Sequence, residues 1–132
     1  MTYLLDVNAL VALGLVNHEF HGRVGKWLRT RPTPTLATCA ITELGFIRVL
    51  AQAPAYGFAV AQARGLLTGM KDADAFRFRF LTDDHDISRL PRWVKAPKQI
   101  TDGHLVELAV ANAAVLATLD GRIPGAYLIR EK

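Results

Sequence analysis

The sequence predicts an α/β protein, a three-layer α/β/α sandwich with a central, mostly parallel sheet. Three observations carry this. Short apolar runs alternate with helix-like stretches along the whole chain, the pattern of strand–helix–strand units. The run at 115–119 is apolar enough to be a strand covered on both faces. Hydrophobic residues make up 51% of the 132 positions, enough for a real core and too many for a disordered tail.

The elements follow in order. Residues 3–5 read as a first strand, and 9–16 as a short helix with Asn8 available as its N-cap. Residues 20–29 are helical, with Phe20, Val24, Trp27 and Leu28 at helical spacing, and Pro32 and Pro34 break the stretch. A second strand is expected at 36–38. Residues 41–52 are helical, with Leu44, Ile47 and Leu50 on one side, and Pro54 ends them. Another amphipathic helix runs over 58–70 and closes near Gly69. At 76–81 Phe and Arg alternate, as in a strand with one wet face. A polar, proline-containing connector covers 82–98. A helix over 105–114, with Thr101 as N-cap, leads into the strand at 115–119, and a last short strand is expected at 126–129. No repeat or low-complexity tract interrupts the pattern, so 1–132 is expected to be one domain.

Composition narrows the function classes. No apolar stretch approaches the ~20 residues that span a bilayer, so no membrane role is expected. The N-terminus lacks a basic leader before its apolar run and does not read as a signal peptide. Cys39 is the only cysteine, so no intrachain disulfide can form, which fits a reducing cytoplasm. The net charge is +4, with 16 Lys and Arg against 12 Asp and Glu, a balance that favours acidic partners such as nucleic acid. Arg77, Arg79, Arg89, Arg92, Lys95 and Lys98 gather in one segment. Taken alone they read as a solvated basic surface.

The carboxylates say more. In "YLLDVNAL" an apolar strand runs straight into Asp6, and a buried Asp is costly unless it is paired or holds a metal. Asp120 ends the strand in "VLATLDGRI", Asp102 opens a helix in "QITDGHLVELA", and Glu43 lies in the first turns of the helix in "AITELGFIRVL". Singly, Asp102 and Glu43 read as first-turn acids favoured by the helix dipole, and Asp120 before Gly121 as a turn residue. In a parallel sheet, however, strand ends and the starts of the following helices share one edge. Four acids there would repel one another unless a cation neutralised them. Hard oxygen ligands without His or Cys suit Mg²⁺ or Mn²⁺, and such a site suits phosphodiester hydrolysis.

"LLDVNAL", "ITELGFIRVL", "TDGHLVELA" and "LATLDGRI", in this order and spacing, resemble a PIN-domain ribonuclease. More narrowly, they resemble the VapC toxins of bacterial VapBC toxin–antitoxin pairs, in the subgroup abundant in mycobacteria. The resemblance covers nearly the whole chain, from Tyr3 to about Asp120. It implies a PIN-like fold and a Mg²⁺- or Mn²⁺-dependent endoribonuclease in which Asp6, Glu43, Asp102 and Asp120 are the catalytic, metal-binding carboxylates. Asn8 and Thr118 match polar residues that orient ligands or a metal-bound water. It further implies cleavage that leaves a 5′-phosphate and a 3′-hydroxyl, and a structured RNA loop as target, as in tRNA or ribosomal RNA. The partner would be a small VapB-like antitoxin whose tail covers the acidic pocket, probing it with an Arg. A homodimer and a cytoplasmic location are also expected.

Other residues were weighed against this reading. Arg48, Arg89 and Arg92 are candidate RNA contacts. Asp83, Asp84, His85 and Asp86 form a cluster that reads as solvated loop acids. His18 and His21 suit capping or surface roles, because two His make a poor zinc site. His104 is not assigned as a base. Trp93 could stack on a nucleobase, although packing explains it as well. Three rivals remain: a catalytically silent PIN-like RNA- or partner-binding domain, a haloacid-type aspartyl phosphatase, and a receiver-like phosphorylation module. The phosphatase needs a second Asp where this chain has Asn8. The receiver needs an acidic pair near the first strand, where only Asp6 is present.

Overall fold

The computed structural model describes residues 1–31 and 34–130. It is a three-layer α/β/α sandwich. Five strands, β1 (Thr2–Leu5), β2 (Thr35–Cys39), β3 (Arg77–Leu81), β4 (Ala114–Thr118) and β5 (Tyr127–Leu128), form one sheet in the order β3-β2-β1-β4-β5. Every pairing is parallel. The helices are α1 (Val7–Gly14), α2 (His21–Arg29), α3 (Ala40–Gln52), α4 (Val60–Asp72) and α5 (Ile100–Ala111).

Side-chain alternation divides the core. Tyr3, Leu5, Leu36 and Ala117 point to one face, where α1 to α4 cover them; Phe46 and Leu50 of α3 are fully buried there. Leu4, Ala37, Cys39, Leu81 and Leu116 point to the other face, under Leu105, Val106, Leu108 and Ala109 of α5. Trp93 packs at the rim of this second cluster. Cys39 is buried as a free thiol. The alternation of Phe and Arg at 76–81 belongs to an edge strand, β3, whose Phe80 is half exposed. The helices α3 and α4 form a hairpin, which brings the end of α4 beside the start of α3.

The chain builds β2 and β3 on one side of β1, then crosses to build β4 and β5 on the other. The sheet order therefore reverses between β1 and β4, where open α/β sheets form their clefts. Asp6 follows β1, and Asp120 follows β4 by two residues. The connector 82–98 is pressed onto α5 beside Asp102. A Cβ at Gly103 would lie 2.3 Å from Val94 Cγ2 and 3.2 Å from Pro91, so only glycine allows this approach.

Several expected boundaries shift. The first helix spans 7–14 rather than 9–16, and its N-cap is Asp6 rather than Asn8. The Asp6 carboxylate accepts the Ala9 N–H at 2.9 Å, which leaves Asn8 exposed in the first turn. The fifth helix starts at Ile100 and ends at Ala111, so Thr101 lies inside its first turn and is not its cap. At the start of α3 the Thr42 hydroxyl accepts the Cys39 N–H at 3.0 Å. Pro32, one of the two expected helix breakers, lies outside the described residues.

Candidate active site

Among the described residues Asp6 is the one buried carboxylate. The apolar strand β1 delivers it to the sheet edge, and only 8% of its surface stays exposed. One carboxylate oxygen caps α1 through the Ala9 N–H. The other accepts the Thr118 hydroxyl at 2.5 Å. Thr118 in turn accepts the Asp120 N–H at 3.0 Å, so one buried hydroxyl ties the ends of β1 and β4 together. Burial pushes the Asp6 carboxyl above the ordinary range. The two hydrogen bonds oppose that shift, and the charges of Asp102 and Asp120 add to it.

Asp102, in the first turn of α5, is also pushed up, first by burial and then by Asp120. Asp120 is shifted the other way. Arg122 donates to both of its oxygens, Nε to Oδ1 at 3.0 Å and a terminal nitrogen to Oδ2 at 3.2 Å, and holds the carboxyl below the usual range. Two clefts meet at this pair. The larger, of about 580 Å³, is lined by Asp6, Asn8, His18, Phe20, Thr118, Asp120 and Arg122. The smaller, of about 300 Å³, shares Asp120 and Arg122 and adds Trp93, Lys98 and Asp102. Asn8 thus faces the cleft that holds Asp6.

Glu43 stands on the same sheet edge, after β2, but its carboxylate is engaged elsewhere. Its Oε2 accepts the buried Thr38 hydroxyl at 2.6 Å and pairs with Lys71 Nζ of α4 at 2.5 Å. It lines a separate groove between α3 and α4. The expectation that all four acids converge therefore needs correction. Asp6, Asp102 and Asp120 act on one another electrostatically, whereas Glu43 is turned toward a lysine. Among the described residues no three His, Cys, Asp or Glu side chains form a ready-made metal cage.

The donor set nevertheless fits a hard divalent cation. Asp6 and Asp102 are carboxylates that burial, and then the charge of neighbouring acids, pushes above the ordinary range, so a divalent cation between them would offset both effects. The acids offer only oxygen donors, and the imidazole that lines the Asp6 cleft, His18, has its Nδ1 engaged by the Phe20 N–H.

The candidate RNA contacts lie outside these clefts. Arg48 is exposed, and Arg89 and Arg92 are exposed on the connector. None of the three lines the clefts that hold the acids. The cations that do face them are Lys98, Arg122, Arg64 and Lys71. His18, His21 and His104 have structural partners. His18 Nδ1 accepts the Phe20 N–H at 3.0 Å ahead of α2, His21 Nδ1 bonds the Ala12 carbonyl at 2.8 Å, and His104 pairs with Asp83 at 2.5 Å. In the 83–86 turn, Asp83 also accepts the His85 N–H, and Asp86 accepts from Ser88.

No family model matches the chain. Individual relatives do. Ribonuclease VapC38 of Mycobacterium tuberculosis is 37% identical over 124 residues, covering 91% of this chain and 86% of the relative. Ribonuclease VapC44 of the same species is 37% identical over 129 residues, covering 93% and 89%. Two solved structures share the fold. One is the Mycobacterium tuberculosis sarcin–ricin loop cleaving toxin VapC20, with a TM-score of 0.63 at 13% identity over 92% of both chains. The other is VapBC2 of Rickettsia felis bound to a DNA fragment from its promoter, with a TM-score of 0.61 at 16% identity over 97% of both chains.

Proposed function

Because the chain belongs to the VapC family of ribonucleases, we propose that it is the toxin endoribonuclease of a VapBC-type pair, and that it cuts RNA with Mg²⁺ or Mn²⁺ at the cleft between β1 and β4. The observation that carries the metal reading is Asp6. It is a buried carboxylate with a raised pKa, fixed in place by Thr118 and facing two further acids. Asp6 and Asp102 would hold the cation, with Asp120 and Glu43 completing the set once their own cations yield. Held by these residues, a divalent ion would supply charge neutralisation at the scissile phosphate and would lower the pKa of water toward neutral.

The chain's own residues do the rest. Thr118 keeps the Asp6 carboxylate aimed into the cleft while α1 is capped by the same group. Asn8, on the open side of the cleft, can orient a water by hydrogen bonding. Arg122 and Lys98 line the cleft beside Asp102 and Asp120 and are its cationic groups for the RNA backbone, and Arg122 can exchange Asp120 for phosphate because it is 83% exposed. Water would attack in line as the bond to the 3′-oxygen breaks, leaving a 5′-phosphate and a 3′-hydroxyl. The substrate is RNA, with a tRNA or ribosomal RNA loop as the preferred target. The partner is a VapB-like antitoxin covering the acidic cleft. Among the described residues no helix is long and apolar enough to cross a membrane, and action in the cytoplasm agrees with an RNA substrate.

Induced expression without a cognate antitoxin is therefore expected to stop growth, and co-expression of that antitoxin to restore it. Unchanged growth with the folded protein present would count against the toxin role. RNA binding is expected to weaken steeply with salt, because the chain carries 16 Lys and Arg against 12 Asp and Glu and so meets the phosphate backbone with a net charge of +4. Charge reversal at Arg89 or Arg92 should lower RNA affinity without moving the cleavage position, since phosphate contacts position the strand and carry no sequence information. Filter binding from ~50 to ~200 mM salt reads both effects. A flat salt response would contradict them.

A further inference from the structure

Two of the four acids at the sheet edge are already paired within the chain. Asp120 pairs with Arg122, an exposed side chain of its own turn. Glu43 pairs with Lys71 of another helix, and this second pair is the better built. Lys71 Nζ lies 2.5 Å from Glu43 Oε2, and the two side chains are only 30% and 24% exposed. The same oxygen takes the hydroxyl of Thr38, which is fully buried. The Lys71 ammonium also stands 5.5 Å over the Phe80 ring of β3, a cation–π contact that further fixes it. Glu43 is thus held from two sides toward α4. It is absent from the charges that act on Asp6, whereas Asp102 and Asp120 are present.

An ammonium and a divalent cation compete for the same carboxylate oxygens. We infer that Lys71 is a resident counter-ion that holds Glu43 in a metal-free resting position and competes with the divalent cation for it. This rests on the proposed metal site. Lys71 is then a positioning residue that lowers metal affinity, and Glu43 joins the site only when Lys71 releases it. Entry of the cation is ordered, with Asp6 and Asp102 engaging before Glu43. A lysine that merely tied α3 to α4 would behave differently. Its removal would loosen the hairpin and leave metal affinity unchanged or weaker.

The test is a Mn²⁺ titration of the full-length chain by calorimetry, with helical content followed by circular dichroism in EDTA. Lys71→Met keeps the aliphatic stem over Phe80 and removes the charge. It is expected to bind Mn²⁺ about two- to fivefold more tightly than the wild type, the range open to a partly exposed pair. In a Glu43→Gln background the same change should leave Mn²⁺ affinity unaltered, because the contested carboxylate is gone. If Lys71→Met does not fold, Lys71→Gln takes its place. Equal or weaker Mn²⁺ binding by the folded Lys71 variant overturns the counter-ion role, as does a gain that persists without Glu43. Absence of Mn²⁺ binding by the wild type, or binding that Asp6→Asn leaves untouched, would overturn the metal site itself.

Discussion

Asp6→Asn is expected to lower RNA cleavage by roughly 10³-fold or more, the scale set by several kcal/mol of metal-derived transition-state stabilisation. The fold should survive. Asn caps a helix about as well as Asp, so the Ala9 N–H keeps an acceptor. Thr118 can turn its hydroxyl to accept from the new amide. In EDTA at neutral pH, the variant should be as stable as the wild type or more so, because it lacks a charge that burial and two neighbouring acids oppose. The sign follows from the raised pKa. The wild type's handicap exists only while Asp6 is ionised in the folded state, so any advantage of Asn should shrink as pH falls toward the ordinary carboxyl value of 3.8. Thermal melts across pH and a cleavage assay read the two effects separately. The variant should also lose toxicity in cells. An Asp6→Asn chain that unfolds would make Asp6 a structural residue. A folded variant that still kills would move the catalytic centre elsewhere.

Phe46→Ala is expected to have the largest effect on stability, costing about 3–5 kcal/mol. Phe46 is fully buried three residues after Glu43, and its ring packs against Gly14 at the end of α1. A Cβ at Gly14 would lie 3.1 Å from the ring and 2.9 Å from Met70 Sδ, so the ring fills a tight contact bordered by the flexible Met70 thioether. Removing the ring leaves a cavity between the helix that carries Glu43 and the helix that Asp6 caps. For a chain of this size the melting midpoint should fall by roughly 10 °C or more. A change of only a degree or two would show that the α1–α3 interface is looser than its burial implies.

Much of this architecture was legible in the residues. The apolar β1 ending on Asp6 and the apolar β4 placed two acids at strand ends, and parallel topology then required one shared edge. Helix starts were harder. Asn8 and Thr101 are both good capping residues, but the carboxylate at the end of β1 takes the first cap itself, and α5 begins at Ile100 because the connector delivers it already turning. The approach of the connector to Gly103 depends on tertiary packing that no local pattern encodes. The position of Glu43 follows from its spacing, whereas its pairing with Lys71 depends on how α3 and α4 pack. That partner had a signal. Two 13-residue helices joined by seven residues form an antiparallel hairpin, which sets position 71 near the end of α4 beside position 43 near the start of α3. Arg122, two residues beyond Asp120, had a simpler one, a turn that folds the guanidinium back on the acid.

The most direct measurement of the central claim is cleavage of total RNA by the purified chain with and without divalent metal, followed by end analysis of the products. Discrete cuts bearing 5′-phosphates that appear with Mg²⁺ or Mn²⁺, vanish in EDTA and return when metal is restored are the predicted result. Cleavage that persists undiminished in EDTA would show that the acids at this sheet edge do not work through a metal ion.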